Sequence, residues 1–350
     1  MTAVTVVIST HNRPDELCAA IAGVCLQTRQ DWQALVIGDA CSDETGMRLA
    51  ALSDPRIRYI NLTQRVGEQS GPNSVGMTLA DTEFIAFLNQ DDLWLPDHLA
   101  NAIDCLRSAK ADFFTGRAAF AIADPDDAKR TILSEASPVG RRLYEAFLSR
   151  YQLFEPISAW VMTARAVRRV GLFARAANLF RTPLENWILR AWRKGLMHID
   201  TPLITVLKND VKWGSAGDCE VLYDQTSRPL TEWLGRVEQA GIDEARIQIE
   251  SDLAQAGRRG LARNITKFLG PGDFPWIANR LLTPSALEVF ERTGWDAMQS
   301  VCQASGLKRG WFLRRLLLRR TGEELPDPPD FDALLSDARA QLRALRSEPH

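Results

Sequence analysis

The stretch Phe84-Ile85-Ala86-Phe87-Leu88-Asn89-Gln90-Asp91-Asp92 confines this chain to a narrow set of folds. Its apolar run, with aromatic and β-branched members, reads as a strand buried on both faces. Such strands belong to sheets covered by helices on each side, and open α/β sheets hold ligands at the carboxyl ends of their strands. Asp91 and Asp92 therefore fall on the ligand edge. Adjacent carboxylates are costly together unless a cation or a donor lies between them. A hard divalent ion that also holds phosphates suits that place. The plainer alternative is a solvated turn leading into a helix at Pro96-Asp97.

The preceding residues repeat the pattern. Val4–Ser9, Gln33–Ile37 and Ile57–Ile60 read as strands, Asp15–Cys25 has helical apolar spacing, and the Gly/Ser/Asn/Pro-rich loop 67–76 runs into a helix ending near Asp81. Polar residues gather just after the strands. This predicts a doubly wound sheet with Thr10–Arg13, Asp39 and Asp91–Asp92 along one rim. Neither a G-x-G-x-x-G turn nor a G-x-x-x-x-G-K-[ST] loop is present, so phosphates bound there need a metal to neutralise them. That combination points to a nucleotide-sugar site.

Bulk properties narrow the class further. The 350 residues are 45 % hydrophobic and 25 % charged, with a formal net charge of −2, so nothing advertises nucleic acid as a partner. Six cysteines without zinc-site spacing suggest reduced thiols. With no signal-peptide progression at the start and no long apolar span, the expected location is cytoplasmic, or peripheral at the inner face of a membrane.

The segment Val4–Thr45 (VTVVISTHNRPDELCAAIAGVCLQTRQDWQALVIGDACSDET) resembles the opening of family 2 glycosyltransferases. Gly67–Leu99 matches that family's Asn-rich loop and aspartate motif, and Ser158–Phe173 with Leu184-Glu185-Asn186-Trp187 matches its acceptor half. The resemblance covers roughly residues 1–208. It implies a GT-A-type doubly wound mixed sheet flanked by helices, and an inverting transfer from a nucleoside-diphosphate sugar, UDP by default, to a glycan or lipid-linked acceptor in surface polysaccharide biosynthesis; the absence of a Q-x-x-R-W sequence and of membrane spans makes a non-processive transfer the expectation. It implies a glycosyltransferase domain, expected over 1–218, with a nucleotide-binding half to about 100 and an acceptor half beyond; the composition after it reads as a mainly helical region over 219–350.

Carried over position by position, the resemblance assigns donor contacts to Thr10, Asn12, Arg13, Asp39, Asn73 and Asp91. Asp91 and Asp92 form the Mn2+ or Mg2+ pair, and the catalytic position falls on Glu185-Asn186. Three departures stand out. Gly38 replaces the first acid of an Asp-Asp pair, Asn89 replaces the first acid of D-x-D, and Asn186 stands where a proton-accepting aspartate is usual. Asn186 cannot take a proton, so Glu185 is the expected base, set against its plainer reading as a first-turn helix acid. Trp160 and Trp187 are either acceptor-sugar platforms or, as most tryptophans are, core. Lys208 or Lys212 is expected to reach the diphosphate.

Beyond Val221, amphipathic stretches at 229–257, 261–269, 284–306 and 331–346 read as helices, as does 140–153 within the acceptor half. The segment Leu307–Arg320 (LKRGWFLRRLLLRR) carries six basic residues among aromatic and aliphatic ones. It reads as a packed helix with a solvated basic face or, alternatively, as a peripheral membrane contact. Two rival functions are a catalytically silent nucleotide-sugar or glycan-binding assembly protein, and a nucleotidyltransferase on a related fold.

Overall fold

The computed structural model describes residues 2–123, 131–136, 156–180, 182–209, 228–254 and 329–347, with isolated positions between 306 and 327. Among these, nine strands form a single sheet. The first strand, β1 (Val4–Thr10), is buried along its whole length, as its run of β-branched residues requires. It pairs in parallel with β2 (Trp32–Gly38) on one side and β4 (Phe84–Asn89) on the other, while β3 (Ile57–Asn61) adds in parallel to β2. Helices α1 (Pro14–Cys25), α2 (Asp43–Ala50) and α3 (Ser70–Leu79) connect them. Pro14 opens α1, with Asp15 and Glu16 in its first turn, the composition a helix N-terminus favours.

Beyond β4 the sheet becomes mixed. β5 (Asp92–Trp94) leads to α4 (His98–Ala109), then β6 (Phe113–Ala123) and β7 (Thr131–Ala136). After β8 (Trp160–Thr163), α5 (Ala164–Val170) and α6 (Pro183–Arg193), the long strand β9 (His198–Asn209) returns. The order is β3-β2-β1-β4-β8-β6-β9-β5, with β7 paired to β6. β8 runs antiparallel to β4 and β6, β9 parallel to β6, and β5 antiparallel to β9. The sheet is thus mixed α/β, as expected, and β9 brings Lys208 opposite Asp92.

The main core fills the space between the sheet and its helices. Trp160, Trp187 and Phe173 pack with Phe113 at its centre, and both tryptophans are essentially inaccessible. The sugar-platform reading of Trp160 and Trp187 is overturned: rings 1 % and 0 % exposed offer no face to a ligand.

The C-terminal helices that are described pack onto the sheet domain. The expected helix 229–257 is instead divided: α7 (Arg228–Ala240) stops at Gly241, whose φ of +83° only glycine adopts readily, and a second helix runs over 242–254. Trp233, Val237, Ala245 and Ile249 of this pair pack with Leu93, Leu95 and Leu207, and Arg246 grips the Asp97 carboxylate at 2.5 and 2.6 Å. α8 (Phe331–Ser347) lays Leu334, Leu335, Ala338 and Leu342 over β3 and α3. Gln341 on α8 accepts from the Asn61 backbone N–H (3.1 Å) and donates to its carbonyl (2.8 Å). Its amide thereby stands in for a neighbouring strand at the β3 edge, which exposed edges need. The expected helices at 140–153, 261–269 and 284–306, and the boundary near 218, lie outside the described residues.

Candidate active site

The carboxyl ends of β1, β2 and β4 open onto a cleft of about 380 Å³, lined by Thr10, His11, Asp39, Arg65, Gly67, Glu68, Gln69, Gln90, Asp91 and Lys208 among others. Hydrogen bonds between neighbouring turns hold its floor. Gln90 Oε1 accepts from Thr10 Oγ1 (2.6 Å) and from the His11 N–H (2.9 Å), joining the β1 and β4 ends. Asn12 takes the left-handed conformation, φ +49°, and its Oδ1 accepts from the Ser42 N–H at 2.8 Å, joining the β1 and β2 ends. Asn is among the few side chains that tolerate this backbone. His11 Nδ1 lies 2.8 Å from the Asp39 carbonyl oxygen, and a contact with the Cys41 thiol raises the imidazole pKa against the effect of burial.

Asp39 is 6 % exposed and receives two backbone N–H donors, Val66 at 2.6 Å and Gly67 at 2.8 Å. Burial pushes its carboxyl pKa upward while these donors pull it back. The carboxylate therefore orders the loop that forms the cleft wall as well as facing the cleft. Next on that loop, Glu68 is also raised by burial, and its Oε2 accepts from the Ala176 N–H at 2.9 Å. Glu68 thus ties the cleft to the segment preceding α6.

The adjacent acids part company. Asp91 lines the cleft and pairs through Oδ2 with Arg13 Nη1 at 3.1 Å, and Arg13 also reaches Glu16 at 3.5 Å. Asp92 is fully buried and is not part of the cleft lining. Its Oδ2 accepts from Ser158 Oγ (2.5 Å) and Asn89 Nδ2 (2.8 Å), and its Oδ1 from the Asn209 N–H (3.1 Å). Burial lifts its pKa to about 6, against the pull of Lys208. Gln69 Nε2 donates to Asn89 Oδ1, so Asn89 is a relay with its amide turned to Asp92. A carboxylate at position 89 would instead face Asp92 with like charge.

Of the other positions singled out by sequence, Thr10 lines the cleft, whereas Asn73 is buried within α3; Asn12 and Arg13 are outside the lining, Asn12 bonded to Ser42 and Arg13 paired with Asp91. Lys208 lines the cleft; Lys212 lies outside the described residues. At the start of α6, Glu185 closes a capping box with Thr182: its N–H donates to Thr182 Oγ1 (3.1 Å), and its Oε2 accepts from the Thr182 N–H (3.3 Å). Asn186 Oδ1 accepts from Arg190 Nε at 3.0 Å, and Arg190 in turn donates to the Val170 and Leu172 carbonyls. Neither Glu185 nor Asn186 lines the cleft.

Sequence reasoning passed over His11, Arg65, Glu68 and Gln90. His11 and Gln90 each sit directly beside a residue it had chosen, and that adjacency at a strand end was the available signal. Arg65 and Glu68 reach the cleft only because Asp39 pins their loop.

Among the described residues no group of three His, Cys, Asp or Glu side chains converges as a metal site. A divalent ion in this cleft would be held by one protein carboxylate together with ligand phosphates, an arrangement Mg2+ commonly takes.

Residues 5–171 match the model of the glycosyl transferase family 2. The chain is 34 % identical over 151 residues to the succinoglycan biosynthesis protein ExoW of Rhizobium meliloti, covering 40 % of this chain and 47 % of that protein. It is 29 % identical over 113 residues to the Escherichia coli UDP-Glc:alpha-D-GlcNAc-diphosphoundecaprenol beta-1,3-glucosyltransferase WfgD, covering 32 % and 44 %. The matches therefore span just under half of each relative. Among solved structures, the mannosyltransferase PcManGT of Pyrobaculum calidifontis, in complex with GDP-Man and Mn2+, is 18 % identical with a TM-score of 0.48, over 88 % of this chain and 87 % of that one. Residues 5–171 are a glycosyl transferase family 2 domain.

Proposed function

We propose that the chain is an inverting, non-processive glycosyltransferase that moves a sugar from a nucleoside-diphosphate sugar, UDP by default, to a glycan or lipid-linked acceptor in polysaccharide biosynthesis. The observation that carries this reading is the convergence of Asp39, Asp91 and Lys208 on one cleft at the carboxyl ends of the parallel strands β1, β2 and β4. Relatives whose names specify succinoglycan biosynthesis and a diphosphoundecaprenol-linked acceptor support the acceptor class.

In this reading Thr10 and Asp39 bind the nucleoside. Asp91, a hard oxygen donor open to the cleft, fits Mn2+ or Mg2+ shared with the donor diphosphate. Asp92 does not fit as a ligand, because both its oxygens are engaged and buried. It positions Asp91 by fixing the β4–β5 turn to β9. The ion, when bound, offsets charge developing on the departing nucleoside diphosphate. Lys208, which lines the same cleft from β9, adds a second positive group.

Glu185 is the proposed base that takes the acceptor proton. Among the described residues its capping contacts go to Oε2 alone. Glu68 is the alternative, since it lines the cleft, touches the acceptor half and has its carboxyl pKa raised by burial. A catalytically silent, donor-binding protein is the second reading, favoured by the capping role of Glu185 and the Asn186–Arg190 bond.

Calorimetry with UDP, GDP and dTDP, each with Mn2+ or with EDTA, on wild type and Asp91→Ala tests the donor site. Metal-dependent binding of one nucleotide, weakened by Asp91→Ala, is expected. Binding of none overturns the donor site. Binding without turnover across a panel of sugars and acceptors favours the silent protein.

A further inference from the structure

The loop between β3 and α3 is held by two carboxylates that come from different places. On the donor side, Asp39 takes one N–H on each oxygen, Val66 on Oδ1 at 2.6 Å and Gly67 on Oδ2 at 2.8 Å. The next residue, Glu68, turns its own carboxylate outward from the loop, and its Oε2 accepts from the Ala176 N–H at 2.9 Å. Only the Gly67–Glu68 link separates the two holds, and Gly67 has a φ of +76°, which glycine alone adopts readily. The loop is thus a short strut, with the cleft carboxylate at one end and the segment before α6 at the other.

The far end of the strut is firmly seated. Ala176 is 3 % exposed and opens a short helical turn over Ala176–Asn178. Behind it, Arg175 Nη2 donates to the Pro329 carbonyl at 2.6 Å, just ahead of α8, and a Cβ on Gly310 would run into the Ala177 backbone. Lys308 Nζ lies 3.6 Å from the centroid of the Phe180 ring, although most of the basic stretch 307–320 lies outside the described residues. C-terminal residues therefore back the segment from one side while Glu68 holds it from the cleft. Further along the chain, Thr182 caps α6, whose first turn contains Glu185.

Each oxygen of a carboxylate can accept more than one donor. A nucleoside group that binds Asp39 from the cleft shares the carboxylate with Val66 and Gly67 and fixes the orientation in which it holds them. A ligand that orders a group in this way spares its other contacts that entropy, which couples them to the ligand.

We propose that Glu68 is a positioning residue that couples occupancy of the donor site to the segment 175–178 ahead of α6. The coupling rests on the donor-site reading above: nucleotide at Asp39 stiffens the loop, and Glu68 passes that order to the chain leading into Glu185. The role needs only an acceptor oxygen on the Ala176 N–H. Proton acceptance, in contrast, needs a carboxylate.

The test is amide hydrogen exchange of the full-length chain with Mn2+, with and without UDP, GDP or dTDP, whichever binds. In wild type the nucleotide should slow exchange at Ala176 by about tenfold, along with Val66 and Gly67. In Glu68→Ala the response should persist at Val66 and Gly67 and vanish at Ala176, and Glu68→Gln, which keeps an acceptor oxygen, should restore it. Slowing at Val66 and Gly67 with none at Ala176 in wild type overturns the proposal. So does an undiminished response at Ala176 in Glu68→Ala, or its loss in Glu68→Gln. If no nucleoside diphosphate binds, the donor reading fails and the strut is read without ligand. Asp39→Asn, with one acceptor oxygen in place of two, should then speed exchange at Ala176 relative to the amides of β6, and unchanged exchange there overturns the coupling.

Discussion

The β4–β5 turn and the first turn of α6 each carry two adjacent polar residues, Asp91-Asp92 and Glu185-Asn186, yet they use them differently. In the turn one acid faces the cleft and its neighbour is sealed in the core with three donors. At the helix start both side chains are engaged locally, one with the Thr182 cap and one with Arg190. The difference follows from backbone geometry. Successive residues of a strand point to opposite faces, so a pair at a strand end is split between ligand and core. A helix N-terminus leaves backbone N–H groups without partners, and nearby polar side chains are drawn into satisfying them.

The sharpest way to break this comparison is to truncate each acid of the turn. Asp92→Ala leaves the Ser158 hydroxyl, the Asn89 amide and the Asn209 N–H unpaired in the core, and should cost roughly 3–5 kcal/mol of stability by denaturant titration. Asp91→Ala should change stability by only about 1 kcal/mol, since what is lost is a partly exposed ion pair with Arg13, while weakening metal-dependent nucleotide binding. Equal destabilisation by the two would erase the distinction drawn between them.

Glu185→Gln separates the cap from the chemistry. Glutamine also completes a capping box, so the melting temperature should barely move, while turnover falls by about 10²–10⁴-fold if Glu185 is the base. Full turnover in Glu185→Gln, with loss in Glu68→Gln, transfers the role to Glu68.

Asn89→Asp restores the acid that family resemblance leads one to expect, yet should destabilise by about 2 kcal/mol through like charge against Asp92. Its pH dependence is informative. The folded-state pKa of Asp92, about 6, lies above its ordinary value, so the folded chain holds that proton more tightly. The stability from this group is present at low pH and is lost as pH rises toward about 6, then stays level. Asn89→Asp should lose more over the same rise, because the paired acids tolerate one shared proton but not two charges. A pH-independent loss in melting experiments would sink this account.

The smallest effect expected is at the far edge of the sheet. Gln341→Ala removes the amide that pairs with the Asn61 backbone and should cost about 1 kcal/mol, with faster hydrogen exchange at Asn61 as the local readout.

The nucleotide half was legible because its signals are local. β1, β2, β3 and β4 are short apolar runs ending in polar turns, and the structure extends the expected limits by only one or two residues. β5, β6 and β7 were missed. β5 is three residues long, and it exists because β9 comes to pair with it from more than a hundred positions away. The cleft followed the same rule: Thr10, Asp39 and Asp91 announced themselves at strand ends, but Arg65 and Glu68 needed Asp39 to draw their loop inward.

By itself the amino-acid sequence determined the strand–helix alternation, the polar rim at the strand ends and the family of the domain, because periodicity and turn chemistry act between residues close along the chain. Only the tertiary structure decided that Asp91 faces the cleft while Asp92 is sealed behind it, that Asn89 is the donor making that burial tolerable, and that Trp160 and Trp187 are core. Those outcomes depend on which distant groups, such as Ser158 and Asn209, arrive to replace water around a buried charge.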